Sequence, residues 1–155
     1  MCSELEPVSI LKESGNIKFK EKKYDEAEKL YTDSLLKLEE VRSSVPKSQK
    51  NNLVQLETSI LLNLSNIKSH NKDYPGLLQL AKEVVLMSPE SGKGYFRYAQ
   101  ALHHLGKSEA ALEKIKQAEK YSSYSESKLS THLQSENSRR SCWKSWESQR
   151  RTTRR

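Results

Sequence analysis

Three cations and two amides in this sequence are spaced so that folding could bring them together. Lys93 and Arg97 are four residues apart, and so are Lys12 and Asn16. On an α-helix this spacing places both members of a pair on one face, one turn apart. Asn63 lies within a third helical pattern. On stacked helices these five side chains would form a socket for carboxylates. We therefore expect this site to bind an acidic peptide that ends in a free carboxylate.

The composition indicates an all-α protein. The chain has 155 residues, of which 30% are charged and 34% hydrophobic, so it is one ordinary domain with room for a tail. Only five Gly and two Phe argue against a β-sandwich. The many Lys, Glu, Leu and Gln residues favour helix.

The cysteines and the N-terminus favour a reducing compartment. Cys2 and Cys142 lie near opposite ends of the chain, which indicates neither a disulfide framework nor a metal-ligand cluster. The first residues include acids and no apolar core, so they do not resemble a signal peptide. No apolar run approaches the length of a membrane span. We expect a cytoplasmic protein.

The net charge of +7 is unevenly distributed. Residues 126–155 carry +5, and the first 125 residues carry only +2. A basic groove within the first 125 residues must therefore be a local arrangement. The tail is rich in Ser and Arg. Residues 127–134 could form a capping helix, and beyond residue 138 we expect disorder. Trp143 and Trp146 could pack on the fold or remain exposed. The terminal arginines could attract nucleic acid or an anionic membrane, or they could simply be a solvated end.

The sequence repeats a helix–turn–helix pattern every 34 residues. The same offset separates Asn63 from Arg97 and Asp73 from Lys107. We predict three helix pairs, at about 10–20 with 24–40, 58–69 with 74–87, and 92–105 with 108–120. A 34-residue helix–turn–helix period is typical of the tetratricopeptide repeat (TPR). The repeats would span about 8–41, 58–91 and 92–125.

Small residues occur where the two helices of a repeat must pack closely. Gly15, Ser65 and Ala99 hold equivalent positions in the three first helices. An insertion, 42–57, separates the first two repeats. We expect residues 43–47 to form a loop, and residues from about 48 to extend the next helix by up to two turns. Pro75–Gly76 is expected to loosen the start of the fourth helix, and Ser108 is expected to cap the sixth.

Stacking three repeats would bury the apolar faces that one repeat cannot bury alone. We predict a right-handed α-solenoid whose first helices line a concave groove. Lys12, Asn16, Asn63, Lys93 and Arg97 all lie on first helices, so they would share this groove. We expect Lys93 and Arg97 to project into solvent there. A lone Lys/Arg pair would more often be a solvated surface, and a lone Asn a structural amide.

The stretch LKESGNIKFKEKKYDEAEKLYTDSLL resembles the opening repeat of the Hop and stress-inducible co-chaperone family. Unc-45 proteins, the small glutamine-rich family and the immunophilin co-chaperones have similar openings, and the resemblance extends over about 8–125. In these proteins five residues form a two-carboxylate clamp that grips a C-terminal Glu-Glu-Val-Asp peptide of heat shock protein 90 or heat shock protein 70. The resemblance places the clamp on Lys12 and Asn16 in LKESGN, Asn63 in LLNLSN, and Lys93 and Arg97 in GKGYFR.

The resemblance therefore implies a protein–protein interaction adaptor, a co-chaperone whose partner is heat shock protein 90 and/or heat shock protein 70. Ile17, Tyr95 and Phe96 could border a pocket for the penultimate Val. We expect a monomer or weak dimer with no cofactor, no metal and no small-molecule substrate, and we do not expect nucleic acid to be a partner. The sequence has no Gly-rich phosphate loop or nucleophile elbow, so we do not expect an enzyme. The alternative is a general scaffold that binds another peptide, with the basic tail contacting nucleic acid or membrane.

Overall fold

The computed structural model describes residues 4–122, and these residues form six α-helices and one short 3₁₀ turn. No strand occurs among them, so the all-α prediction is confirmed. The helices are α1 (Glu6–Lys20), α2 (Tyr24–Val41), α3 (Lys50–His70), α4 (Tyr74–Met87), α5 (Gly92–His104) and α6 (Ser108–Ser122), with the 3₁₀ turn at Lys47–Gln49. Within the same range, no helix is both long and apolar enough to cross a membrane.

The helices pack as three consecutive pairs, α1 with α2, α3 with α4, and α5 with α6. Contacts of α2 with α3 and of α4 with α5 join the pairs in chain order. The first helices also contact one another, α1 with α3 and α3 with α5. This arrangement is an α-solenoid in which α1, α3 and α5 lie side by side.

The core of the first two pairs requires a small residue on α1. Tyr31 of α2 is almost fully buried and packs beneath α1 at Gly15. A Cβ atom on Gly15 would lie 2.7 Å from the Tyr31 ring, so any larger residue would displace the ring. Nearby, the buried Ser34 hydroxyl donates a hydrogen bond of 2.9 Å to the carbonyl oxygen of Val8. The two helices of the first pair are therefore held at close range.

Side-chain caps fix the starts of α4 and α5. The Asp73 carboxylate accepts a hydrogen bond of 3.0 Å from the Gly76 amide, and the Ser91 hydroxyl accepts one of 3.1 Å from the Gly94 amide. Pro75 lies in the first turn of α4, where its missing N–H is not needed. The expectation that Pro75–Gly76 loosens this helix start was wrong, because Asp73 caps it.

At α6 the expected cap is displaced by one residue. The Lys107 carbonyl accepts the Ala111 amide at 3.0 Å, so Ser108 is the first helical residue and not the cap.

The insertion is tied to the helices on both sides of it. Val45 is buried in the core, and α3 begins at Lys50, about two turns before Thr58. Arg42 donates to Glu39 and to the buried Glu57, each at 2.6 Å, and so links the end of α2 to the added turns of α3. The inserted residues thus lengthen α3 and leave its contact with α1 in place.

The turns between paired helices each contain one residue with positive φ. These residues are Lys22 (61°), Lys72 (58°) and Gly106 (78°), and Lys72 and Gly106 are one repeat length apart. Glycine tolerates this conformation, whereas a residue with a Cβ atom is strained in it. The third repeat therefore has the favoured residue, and the first two do not.

We predict that Lys72→Gly stabilises the protein by about 0.5–1 kcal/mol, because it relieves this strain. The matched control is Lys72→Ala, which removes the same charge but keeps a Cβ atom. Urea unfolding followed by circular dichroism measures both. Equal stabilities for the Gly and Ala variants would contradict the explanation.

Candidate functional site

The five residues identified in the sequence all lie on the adjacent first helices. Lys12 and Asn16 are on α1, Asn63 is on α3, and Lys93 and Arg97 are on α5. Because α3 lies between α1 and α5, a ligand laid across these helices could meet all three. Hydrogen bonds between the first helices define the polar surface further.

Asn16 is the centre of the first set of hydrogen bonds. Its Oδ1 accepts from the Tyr31 hydroxyl at 2.7 Å and from Asn63 Nδ2 at 2.9 Å. Its own Nδ2 donates to Glu13 Oε2 at 3.0 Å. The amide oxygen is thus used within the protein, and the amide nitrogen faces a carboxylate. Two of the predicted site residues, Asn16 and Asn63, are in direct contact.

Lys12 and Asn16 contact the same carboxylate, that of Glu13. Lys12 Nζ lies 3.3 Å from Glu13 Oε1, and the Lys12 side chain is only 19% exposed. The pKa of Glu13 is lowered, first by the hydrogen bond from Asn16 and also by Lys12, against an opposing effect of burial. The Glu13 side chain itself is 61% exposed. Lys12 and Asn16 therefore hold an exposed, charged carboxylate from the chain itself.

Arg97 is the centre of the second set. Its Nη1 donates to Gln100 Oε1 at 2.8 Å, and its Nη2 donates to Asn66 Oδ1. Gln100 Nε2 in turn donates to Ser69 Oγ at 2.9 Å. The guanidinium carbon lies 5.9 Å from the centre of the Phe96 ring. Arg97 is thus anchored to both α3 and α5.

The anchoring corrects one expectation. Arg97 was expected to project into solvent, but its side chain is half-buried, and loss of solvent around the guanidinium lowers its pKa. Its acceptors are neutral amides, so the positive charge is not cancelled by an ion pair. Arg97 can contribute to the fold and still present charge to a ligand.

Lys93 is exposed to solvent, as the sequence predicted. It lies in the first turn of α5, where the helix dipole disfavours a cation and favours an anion. No hydrogen bond or ion pair joins its side chain to another residue in the described part of the chain. Lys93 is therefore free to meet a carboxylate at the positive end of the helix.

Two of the hydrogen bonds between first helices repeat with the fold. Asn63 and Arg97 are one period apart, and each reaches back to an Asn on the preceding first helix. Asn66 and Gln100 are also one period apart. Sequence analysis missed Asn66, Gln100 and Ser69 as parts of this surface, although the period could have revealed the first two.

Of the three residues expected to border a pocket for Val, one is part of the core. Tyr95 is buried, and its ring stacks on Tyr121 with 5.5 Å between centres. It is therefore not a groove residue. Ile17 is exposed, and Phe96 is half-buried beside Arg97.

The histidines of the described range take part in packing. His70 stacks on Tyr24 at 4.7 Å, and His104 stacks on Tyr74 at 4.1 Å. Within residues 4–122, no group of three or more His, Cys, Asp or Glu side chains could hold a metal ion. His132, Trp143, Trp146, the capping helix expected at 127–134 and the Arg-rich end lie outside the described residues.

Comparison with solved structures places this arrangement in a known class. The C-terminal TPR-containing domain of a Plasmodium falciparum FK506-binding protein superposes with a TM-score of 0.76 at 24% identity, covering 96% of this chain and 93% of that one. The Hsp90 co-chaperone Cns1 from Saccharomyces cerevisiae gives a TM-score of 0.57 at 17% identity, covering 99% of this chain and 46% of that one. No protein-family model matches the sequence. The fold is that of TPR domains, as the 34-residue period predicted.

We predict that Arg97→Met destabilises the protein by about 1–3 kcal/mol, because two charge-assisted hydrogen bonds between or within helices are lost. The matched control Lys93→Met should change stability by less than about 0.5 kcal/mol, because Lys93 is exposed. Urea unfolding measures both variants. A negligible effect of Arg97→Met would show that its hydrogen bonds do not support the fold.

Proposed function

We propose that this protein is an adaptor that binds the acidic C-terminal peptide of heat shock protein 90 and/or heat shock protein 70, through Lys12, Asn16, Asn63, Lys93 and Arg97. One observation carries the proposal: Lys12 and Asn16 already hold a carboxylate, that of Glu13. The Glu13 carboxylate stands in for one carboxylate of the ligand.

The site has the chemistry that such a peptide needs. A C-terminal Asp carries two carboxylates, and both lose water on binding, so charge-assisted hydrogen bonds must replace that water. Lys12 and Asn16 supply such donors on α1, and Lys93 and Arg97 supply them on α5. Asn63 links Asn16 to α3 and keeps a second N–H for a ligand. We assign one carboxylate to the α1 donors and the other to the α5 donors.

Glu13 is replaceable in this scheme. Its side chain is mostly exposed, and an exposed ion pair contributes little to stability. A ligand carboxylate could therefore take its place at Asn16 while Glu13 turns into solvent. This exchange makes the free energy of binding less favourable, because the protein gives up one carboxylate contact to form another.

The structural relatives support this choice among possible peptides. Cns1 is an Hsp90 co-chaperone, and the Plasmodium falciparum domain belongs to an FK506-binding protein. Both share the fold of this chain. The sequence resemblance to clamp-type co-chaperones supports the assignment of donors to the positions described above. We accordingly propose a non-enzymatic adaptor in the cytoplasm, a monomer or weak dimer, that needs no cofactor.

A second candidate is a TPR scaffold whose groove binds an internal segment of its partner. The exposed Ile17 and the half-buried Phe96 favour it, since an internal segment could contact apolar groove residues without offering a terminal carboxylate. In that scaffold the basic tail would contact nucleic acid or an anionic membrane. The two candidates differ in how strongly binding depends on Lys93.

We predict that Lys93→Glu weakens binding of a Glu-Glu-Val-Asp peptide by at least about 2 kcal/mol, or about 30-fold, because it replaces a donor with a repelling charge. The fold should be retained, since Lys93 is exposed and an acid suits the first turn of a helix. Titration calorimetry measures affinity, and circular dichroism checks folding. The matched control is Lys82→Glu on α4, an exposed lysine of a second helix. Equal affinities for the Lys93 and Lys82 variants would contradict the clamp.

We predict that Glu13→Gln strengthens binding of the same peptide a few-fold, because it removes a competing carboxylate from Lys12 and Asn16. The gain should shrink as salt screens the charges. The control is Glu40→Gln, which removes an exposed ion pair with Lys37 on α2. Weaker binding by the Glu13 variant would mean that Glu13 assists the ligand.

A further inference from the structure

We propose that Tyr31 is a positioning residue of this site: its hydroxyl, reaching from α2 beneath the groove, fixes the Asn16 amide with the nitrogen turned toward the ligand. The inference rests on the proposed function, in which Asn16 donates to a ligand carboxylate. Tyr31 itself does not touch the ligand.

The orientation of Asn16 is set from two sides. The Tyr31 hydroxyl and Asn63 Nδ2 both donate to Asn16 Oδ1, at 2.7 and 2.9 Å, which uses the two acceptor sites of that oxygen. A rotated amide would place its own N–H groups against the Asn63 donor. The observed orientation satisfies both donors, and it leaves Asn16 Nδ2 for a carboxylate, now that of Glu13.

Packing explains the ring of Tyr31 but not its hydroxyl. The residue is 1% exposed, and its ring passes beneath α1 at Gly15, within 2.7 Å of where a Cβ would stand. A Phe ring would fill this space equally well. Burying a hydroxyl costs free energy unless it is hydrogen-bonded, and this hydroxyl bonds to Asn16, the residue after Gly15. The glycine thus lets the ring approach, and the hydroxyl then holds the adjacent groove amide.

The Tyr31 hydroxyl also stays a donor. Burial, with a smaller effect of Glu13, raises the pKa of Tyr31 to about 12. The hydroxyl is therefore protonated throughout the neutral range, and it can always donate to Asn16 Oδ1.

Tyr31→Phe tests the inference by removing one oxygen atom. Titration calorimetry with a Glu-Glu-Val-Asp peptide should show about three- to tenfold weaker binding, the effect of losing a neutral hydrogen bond. The matched control Tyr24→Phe removes the hydroxyl of a half-buried tyrosine on the same helix, one that stacks on His70, and should bind as wild type does.

A double-mutant cycle separates positioning from a general structural effect. In an Asn16→Ala background, Tyr31→Phe should cause no further loss of affinity, because the amide that it positions is absent. Wild-type affinity of the Tyr31→Phe variant would overturn the inference. An equal loss in the Asn16→Ala background would also overturn it, since Tyr31 would then act without Asn16.

A measurement without ligand keeps the inference distinct from the proposed function. The side-chain N–H₂ signals of Asn16 can be assigned by their loss in Asn16→Ala. In NMR spectra, the two N–H protons should exchange by rotation about the C–N bond of the amide more slowly in the wild type than in Tyr31→Phe. Identical rotation would overturn the positioning role. If the wild type does not bind the peptide but the rotation rates differ, the proposed function fails and the positioning of Asn16 stands.

Discussion

A helix pair in this chain cannot bury its apolar face alone, and stacking the pairs is what stabilises each of them. The same stacking sets α1, α3 and α5 side by side. Polar residues on these helices must then satisfy one another across the helix contacts, as Asn63 does with Asn16 and Arg97 with Asn66. The polar surface across α1, α3 and α5 is therefore a consequence of the packing, and hydrogen bonds within the protein already hold several of its side chains.

The donors on α1 and those on α5 are held in different ways. On α1 the donors Lys12 and Asn16 are held by, and occupied with, residues of their own helix pair. On α5 the guanidinium of Arg97 is held by neutral amides, and Lys93 is exposed at the start of the helix. A ligand would compete with Glu13 at one end and meet uncompensated positive charge at the other. Preorganised donors reduce the entropy lost on binding. The Glu13 carboxylate has the opposite effect, because displacing it makes the free energy of binding less favourable.

The sequence predicted the helices well because the repeat period constrains all of them at once. The 34-residue offset and the small residue at Gly15 indicated both the pairing and the place of close approach. Local signals misled where a neighbour decided the outcome. Pro75–Gly76 suggested a weak helix start, and the Asp73 cap stabilises it. Tyr95 suggested a groove residue, and its stack with Tyr121 places it in the core.

The site was predicted as residue types and helix faces, but not as contacts. The spacing of Lys93 and Arg97 placed them on one helix face, yet only the packing of α5 on α3 brings Asn66 within reach of Arg97. The same holds for Tyr31, whose hydroxyl reaches Asn16 because Gly15 admits the ring. Such contacts depend on the distance between helices, which a linear pattern does not contain.

The central claim is that the groove recognises a terminal carboxylate. Titration calorimetry of the wild-type protein with two Glu-Glu-Val-Asp peptides, one a free acid and one amidated at its C-terminus, tests this claim most directly. We expect the free acid to bind with one site per chain and the amidated peptide to bind at least about 30-fold more weakly, a difference of about 2 kcal/mol. Equal affinities for the two peptides would contradict the account.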